Sequence, residues 1–187
     1  MTTGDRWGPD GPPEEAYSRV TRDLATLYEP VVEAASNLVD RLEAAYDVTR
    51  RPARAAELDR LGACDYDRLE ATTLVPASPE QAPLTIGTCD MPGVHLAYGR
   101  WASEHLPECG CDACDESAEA LLQMMSGARD LVVGGFAEWI QLRTDGQWWL
   151  GHGTVIGQQG RSVDRVELRE LGISPPIELA WRPWTPR

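Results

Sequence analysis

Apolar residues recur every three to four positions at Val31, Val32, Ala35, Leu38, Val39, Leu42 and Ala45, while Asp40, Arg41 and Glu43 fall off the stripe. That period predicts a first helix from about Glu29-Pro30 to Asp47, with Pro30 in the first turn, where a missing N–H is harmless. A second stripe (Ala118, Leu121, Leu122, Met125, Ala128) predicts a helix from about Asp115, with Asp115 as its N-cap. Leu131 and Val132 extend it, and Gly134-Gly135 stops it. Elsewhere the pattern is that of strands. β-rich runs at 72–76 and 83–88 are followed by a turn at 90–93 and an alternating run at 94–101, so the segments flanking the turn form a hairpin. A second hairpin joins 136–143 to 147–155 through Thr144-Asp145-Gly146, an Asp-Gly turn. Residues 157–160 read as a Gly/Gln-rich loop, 163–169 as a further alternating strand, and 177–184 as a tail that closes the sheet. Residues 49–70 fit a short helix or an ordered loop. The order helix, strands, helix, strands predicts α+β: a mainly antiparallel sheet with about two principal helices. Gly, Pro and acid dominate the first residues, so 1–16 is expected as a disordered arm before a single α+β domain at 17–187.

Charge narrows the chemistry. The formal net charge is −13, which repels phosphate backbones and anionic membrane surfaces, so neither nucleic acid nor membrane is an expected partner. All 17 basic residues are Arg. Without a side-chain amine no Schiff base can form, and no Walker A loop ends in Lys. The start of the chain has no signal-peptide layout, and no run of about 18 apolar residues exists, so a cytoplasmic protein is expected. The Arg-rich stretch 50–54 reads as a solvated face that pairs with the excess acid.

Three of the five cysteines and one of the three histidines fall within His105-Leu-Pro-Glu-Cys109-Gly-Cys111-Asp-Ala-Cys114-Asp115-Glu116. In a reducing compartment clustered cysteines are metal ligands or reactive thiols more often than disulfides, and an odd count cannot pair completely. Cys109, Cys111, Cys114 and His105 form a four-donor set suited to tetrahedral zinc, and a filled sphere is the structural rather than the catalytic arrangement. Gly110 eases the curl between Cys109 and Cys111. The many acids around the run, with no Arg between Arg100 and Arg129, favour a bound cation and oppose a free thiolate. The expectation is a zinc knot before the second principal helix, with Cys89 or Cys64 in reserve should His105 stay off the metal.

The same residues resemble an uncharacterised actinobacterial family classed as a domain of unknown function. The likeness rests on Gly99-Arg100-Trp101, the Cys-Gly-Cys-Asp-Ala-Cys-Asp-Glu run at 109–116, Val132-Val133-Gly134-Gly135-Phe136 with Glu138, and Leu179-Ala-Trp181 with Pro183-Trp184. It covers most of the chain from about residue 17. It implies no particular activity; it implies that the cysteine run is a family feature.

Remaining candidates read as structure first. His95 sits in an alternating strand. His152, between Gly151 and Gly153, is accessible to a ligand but fits a turn or bulge. Trp148-Trp149, Trp181 and Trp184 belong to a set of seven Trp beside one Phe, which suits core packing or a partner groove. The expected function is a zinc-stabilised binding or interaction module for a protein or small molecule. One alternative is a metal-dependent hydrolase, with His105 or His152 at the zinc and Glu108 or Glu138 as base. The other is a thiol redox protein using Cys109 and Cys111.

Overall fold

The computed structural model describes residues 7–62, 70–88, 92–155, 157–170 and 172–187. A short 3-10 helix (Glu14–Ser18) leads into α1 (Leu24–Ala45). The Asp23 carboxylate accepts from Ala25 N and Thr26 N and so caps α1. The helix therefore starts earlier than the apolar stripe suggested, and Pro30 lies inside it rather than in the first turn. The cap and the burial of Tyr28 and Val31 outweigh the one backbone hydrogen bond that Pro30 cannot make.

Five strands follow in a simple meander: β1 (Val48–Pro52), β2 (Glu70–Pro76), β3 (Leu84–Thr88), β4 (Val94–Tyr98) and β5 (Ala102–Leu106), each antiparallel to the next. A one-and-a-half-turn helix, α2 (Ala55–Arg60), sits between β1 and β2 in the chain. The hairpin expected around 90–93 is present as β3 and β4; residues 89–91 of its turn, and the reserve ligands Cys64 and Cys89, lie outside the described residues. Two strands of this sheet were not expected. β1 alternates weakly because most of its residues are exposed, and β5 was hidden inside the metal-ligand run.

α3 (Ala118–Gly134) is capped by Ser117, whose hydroxyl accepts from Ala120 N. Asp115 is not the cap: it has φ 45° and points elsewhere, as described below. α1 and α3 lie side by side on the first sheet, and Val31, Leu38, Leu42, Leu121, Met125 and Val132 meet Leu74, Leu84 and Leu96 there. At the chain's end Trp184 closes this core, with its indole N–H donating to Ala82 O at 2.8 Å.

The second sheet has the order β8-β7-β6-β9, built from β6 (Ala137–Leu142), β7 (Trp148–Thr154), β8 (Gly157–Val163) and β9 (Ile177–Ala180). The hairpin β6–β7 follows the Asp145-Gly146 turn as expected. Two expectations fail next to it. Residues 157–160 are strand, held by backbone pairing to β7, although residues 157–162 are all exposed. Residues 165–170 are helix α4 rather than strand, because the Asp164 carboxylate accepts from Val166 N and Glu167 N and starts a turn. A smaller core of Ile140, Leu150, Val163, Leu168 and Ile173 sits on this sheet. The whole is α+β with antiparallel sheets, and the cysteine loop precedes α3, the second long helix. No described helix is long and apolar enough to cross a membrane.

Candidate functional site

The loop between β5 and α3 brings Cys109, Cys111 and Cys114 together, with the three sulfurs within 4.8 Å of one another. Cys111 Sγ and Cys114 Sγ are 3.5 Å apart, and Cys111 N donates to Cys109 Sγ at 3.3 Å. A tetrahedral zinc with Zn–S bonds of about 2.3 Å sets its sulfurs about 3.8 Å apart, so the trio fits such an ion, and thiolates suit soft metals generally. The Cys111 thiol is held below its ordinary range, first by the Cys109 side chain and then by the Cys114 and Ala113 N–H groups. Cys114 is pushed up to about 12, first by burial and then by the neighbouring thiols. Of Cys111 and Cys114, the one that forms a thiolate first is therefore Cys111. At Gly110 a Cβ would stand 2.7 Å from Leu24 Cδ1, so a side chain there would push the partly exposed Leu24 aside.

The acidic surround does not act on the thiols as expected, because the acids of the loop itself are turned to donors of their own. Asp112 accepts from Thr21 N at 3.0 Å and Thr21 Oγ1 at 2.8 Å, and Glu116 from Cys109 N at 3.2 Å. Asp115 pairs with Arg22 at 3.0 Å, and the same guanidinium donates to Cys111 O. Arg22 is the cation that local sequence lacked between Arg100 and Arg129. The segment before α1 lies along this loop: Asp112 N donates to Arg19 O, Ala113 N to Ala16 O, and Ala16 is buried against Cys111 and Ala113. The arm expected at 1–16 is described from Trp7 onward, and its end is seated on the cysteine loop.

His105 is not brought to the cysteines. It is paired directly across the sheet with His95, the rings 4.6 Å apart, and a Cβ on Gly62 would touch its ring. Strand alternation explains this: Leu106 enters the core, so His105 turns to the opposite face. His95 is buried, with Nδ1 3.2 Å from Leu61 O, which suits a sheet residue.

A second constellation lies where the two sheets meet. A cavity of about 590 Å³ opens between β5 and β7–β8, lined among others by Trp101, Glu104, His105, Glu108, His152 and Arg161. Behind this wall the fully buried Tyr98, from β4, donates its hydroxyl to Glu104 Oε1 at 2.5 Å and stands 3.1 Å from His152 Nε2. Burial pushes the Glu104 carboxyl up and the His152 imidazole down. His152 is not in a turn; it is inside β7, opposite Glu138 on β6. Tyr98 and Glu104 were missed by sequence reasoning. Their pairing follows from the β4–β5 register, which sets Leu96 opposite Glu104 and Tyr98 opposite Ala102, but only once β5 is known to be a strand.

Glu138 also borders the cavity, yet its carboxylate is fully engaged. It accepts from Arg100 N (2.7 Å), Trp101 N (2.7 Å), Ala102 N (2.9 Å) and Trp181 Nε1 (2.7 Å). It holds the β4–β5 turn from one side while Arg60 donates to Tyr98 O, Gly99 O and Ala102 O from the other. Such a carboxylate anchors backbone; it is poorly placed to serve as a hydrolase base. Glu108 remains exposed at the rim. The four Trp residues singled out in the sequence form no common open face: Trp181 bonds Glu138, Trp184 is core, Trp148 packs on the second core, and the Trp149 ring is covered by Arg143 at 4.8 Å.

Neither the curated proteins nor the solved structures contain a significant match to this chain. The model of a family of unknown function, DUF6226, matches residues 1–187, and the chain belongs to that family.

Proposed function

We propose that the protein is a zinc-stapled ligand-binding module of the cytoplasm. Cys109, Cys111 and Cys114 hold the ion as thiolates. The observation that carries this is the convergence of three sulfurs in one loop, with backbone N–H groups directed at two of them. The ion's contribution is cross-linking: it fixes the loop on which the segment before α1 rests and from which α3 starts. The fourth donor comes from outside the trio, and His105 joins only by leaving its stack on His95. The working surface is the cavity between the sheets rather than the metal.

Elemental analysis of the purified protein is expected to find about one zinc per chain, with Cys111→Ser losing it and His105→Ala keeping it. Structural zinc can contribute on the order of 10 kcal/mol, so chelation should lower the melting temperature steeply. Metal-free protein with an unchanged melting curve would refute the reading. The 3.5 Å Cys111–Cys114 separation favours a second reading, a dithiol pair. Rapid alkylation of these two residues in the protein as purified, with no zinc released, would select it.

A further inference from the structure

We propose that the cavity between β5 and β7–β8 binds a small organic cation, an ammonium carrying an apolar group, with the Glu104 carboxylate as its counter-ion. The inference rests on the cavity being the working surface and adds the class of ligand. At about 590 Å³ the cavity is of the size that holds metabolites. Its sign is set by which charges are already engaged. Three carboxylates border it, and Glu138 is saturated by four N–H donors. Glu104 uses Oε1 to accept from Tyr98, and among the described residues no Arg or His pairs with it. Glu108 adds a second negative charge at the rim.

The potential cations nearby have other partners: Arg161 pairs with Glu167 at the surface, Arg100 lies over the Trp101 ring at 5.3 Å, and His105 stacks on His95. Burial pushes the His152 imidazole down, which disfavours a positive charge there. A partly desolvated carboxylate with one oxygen unbonded gains most from an ammonium, which supplies both charge and donors. Tyr98 fixes the carboxylate's position, since its hydroxyl is tied to both Glu104 and His152. Trp101, Met124 and Leu150 supply apolar wall for the rest of the molecule.

Three probes of one size separate the possibilities: benzylamine, benzyl alcohol and benzoate, titrated into zinc-loaded isotope-labelled protein and followed through the His152 ring and Trp101 indole signals. Benzylamine is expected to shift both saturably, the alcohol to bind at least about tenfold more weakly, and benzoate to leave them unmoved. Glu104→Gln should weaken benzylamine by about tenfold or more. Should that variant fail to fold, Ser103→Arg, at an exposed position on the cavity wall, should abolish benzylamine binding by placing a fixed cation there. Equal binding of benzoate or the alcohol would overturn the cation assignment while keeping a binding cavity. Benzylamine binding unchanged by Glu104→Gln, or by Ser103→Arg, would overturn Glu104 as counter-ion. No shift with any probe would overturn both the assignment and the reading of the cavity as the working surface.

Discussion

Glu138→Gln tests whether the junction of the two sheets depends on a carboxylate. Glu138 is fully buried, and each of its oxygens accepts two hydrogen bonds: Oε1 from Trp101 N and Ala102 N, Oε2 from Arg100 N and Trp181 Nε1. Gln keeps the shape and replaces one oxygen with NH2. Whichever way the amide turns, two N–H donors then face another donor inside the protein. Each buried donor left unsatisfied costs about 1–3 kcal/mol, so the substitution should cost about 4 kcal/mol. No smaller side chain can relieve this by moving the turn closer, because Gly99 already packs so tightly that a Cβ there would meet Glu138 Oε2 at 2.5 Å. For a chain of this length the loss corresponds to a fall in melting temperature of about 8–16 °C. Urea unfolding of wild type and variant, with the slope unchanged, measures it directly. Arg60 holds the carbonyls of the same turn, so Arg60→Met combined with Glu138→Gln should cost less than the sum of the two. A Glu138→Gln protein within about 1 kcal/mol of wild type would refute the clamp, since it would mean that the four donors are satisfied some other way.

Three further outcomes are expected. Arg22→Gln should release the segment before α1 from the cysteine loop, raising amide exchange of Asp112 and Ala113 by about tenfold or more; unchanged protection would show that Thr21 and backbone bonds suffice. Arg51 holds the Glu57 carboxyl at about 2, below the ordinary 4.5, so its contribution is full above about pH 4.5 and is lost as pH falls toward 2. With solvent screening this contribution is about 1–2 kcal/mol, so the stability gap between wild type and Glu57→Gln should close over that range; a gap independent of pH would contradict the pairing. Trp184→Phe removes the indole bond to Ala82 O and leaves a void beside Tyr46, and should cost about 2–3 kcal/mol in urea unfolding.

Features encoded by near neighbours along the chain are legible in the sequence. The β6–β7 hairpin follows from one Asp-Gly turn, and α3 from its stripe and its closing glycines, although its cap is Ser117 and not Asp115. The grouping of Cys109, Cys111 and Cys114 is legible for the same reason, because so short a stretch of chain can curl only so far. β8 is not legible, because a strand exposed along nearly its whole length leaves no hydrophobic trace; backbone pairing to β7 holds it. The strand-like alternation at 163–169 misleads because Val163 ends one element, while Asp164 caps the next.

What escapes entirely is what joins distant parts of the chain. The acids around the cysteines read as a repulsive field because sequence shows only neighbours along the chain. Folding adds Thr21 and Arg22 from the far side of α1, and the field becomes a set of paired groups. The cavity is a stronger case, since Glu104, His152 and Arg161, with Tyr98 behind them, come from four strands in two sheets. None of the four carries a motif, and Glu104 and His152 become unusual only through burial, with the Tyr98 hydroxyl held between them. The visible cysteine run therefore draws attention to one loop, while Glu104 and His152 in the cavity wall are ordinary residues made distinctive by the meeting of two sheets. Function in this family should accordingly follow substitutions at Glu104 and Tyr98 more closely than changes among the Trp residues, most of which are packed against core or covered.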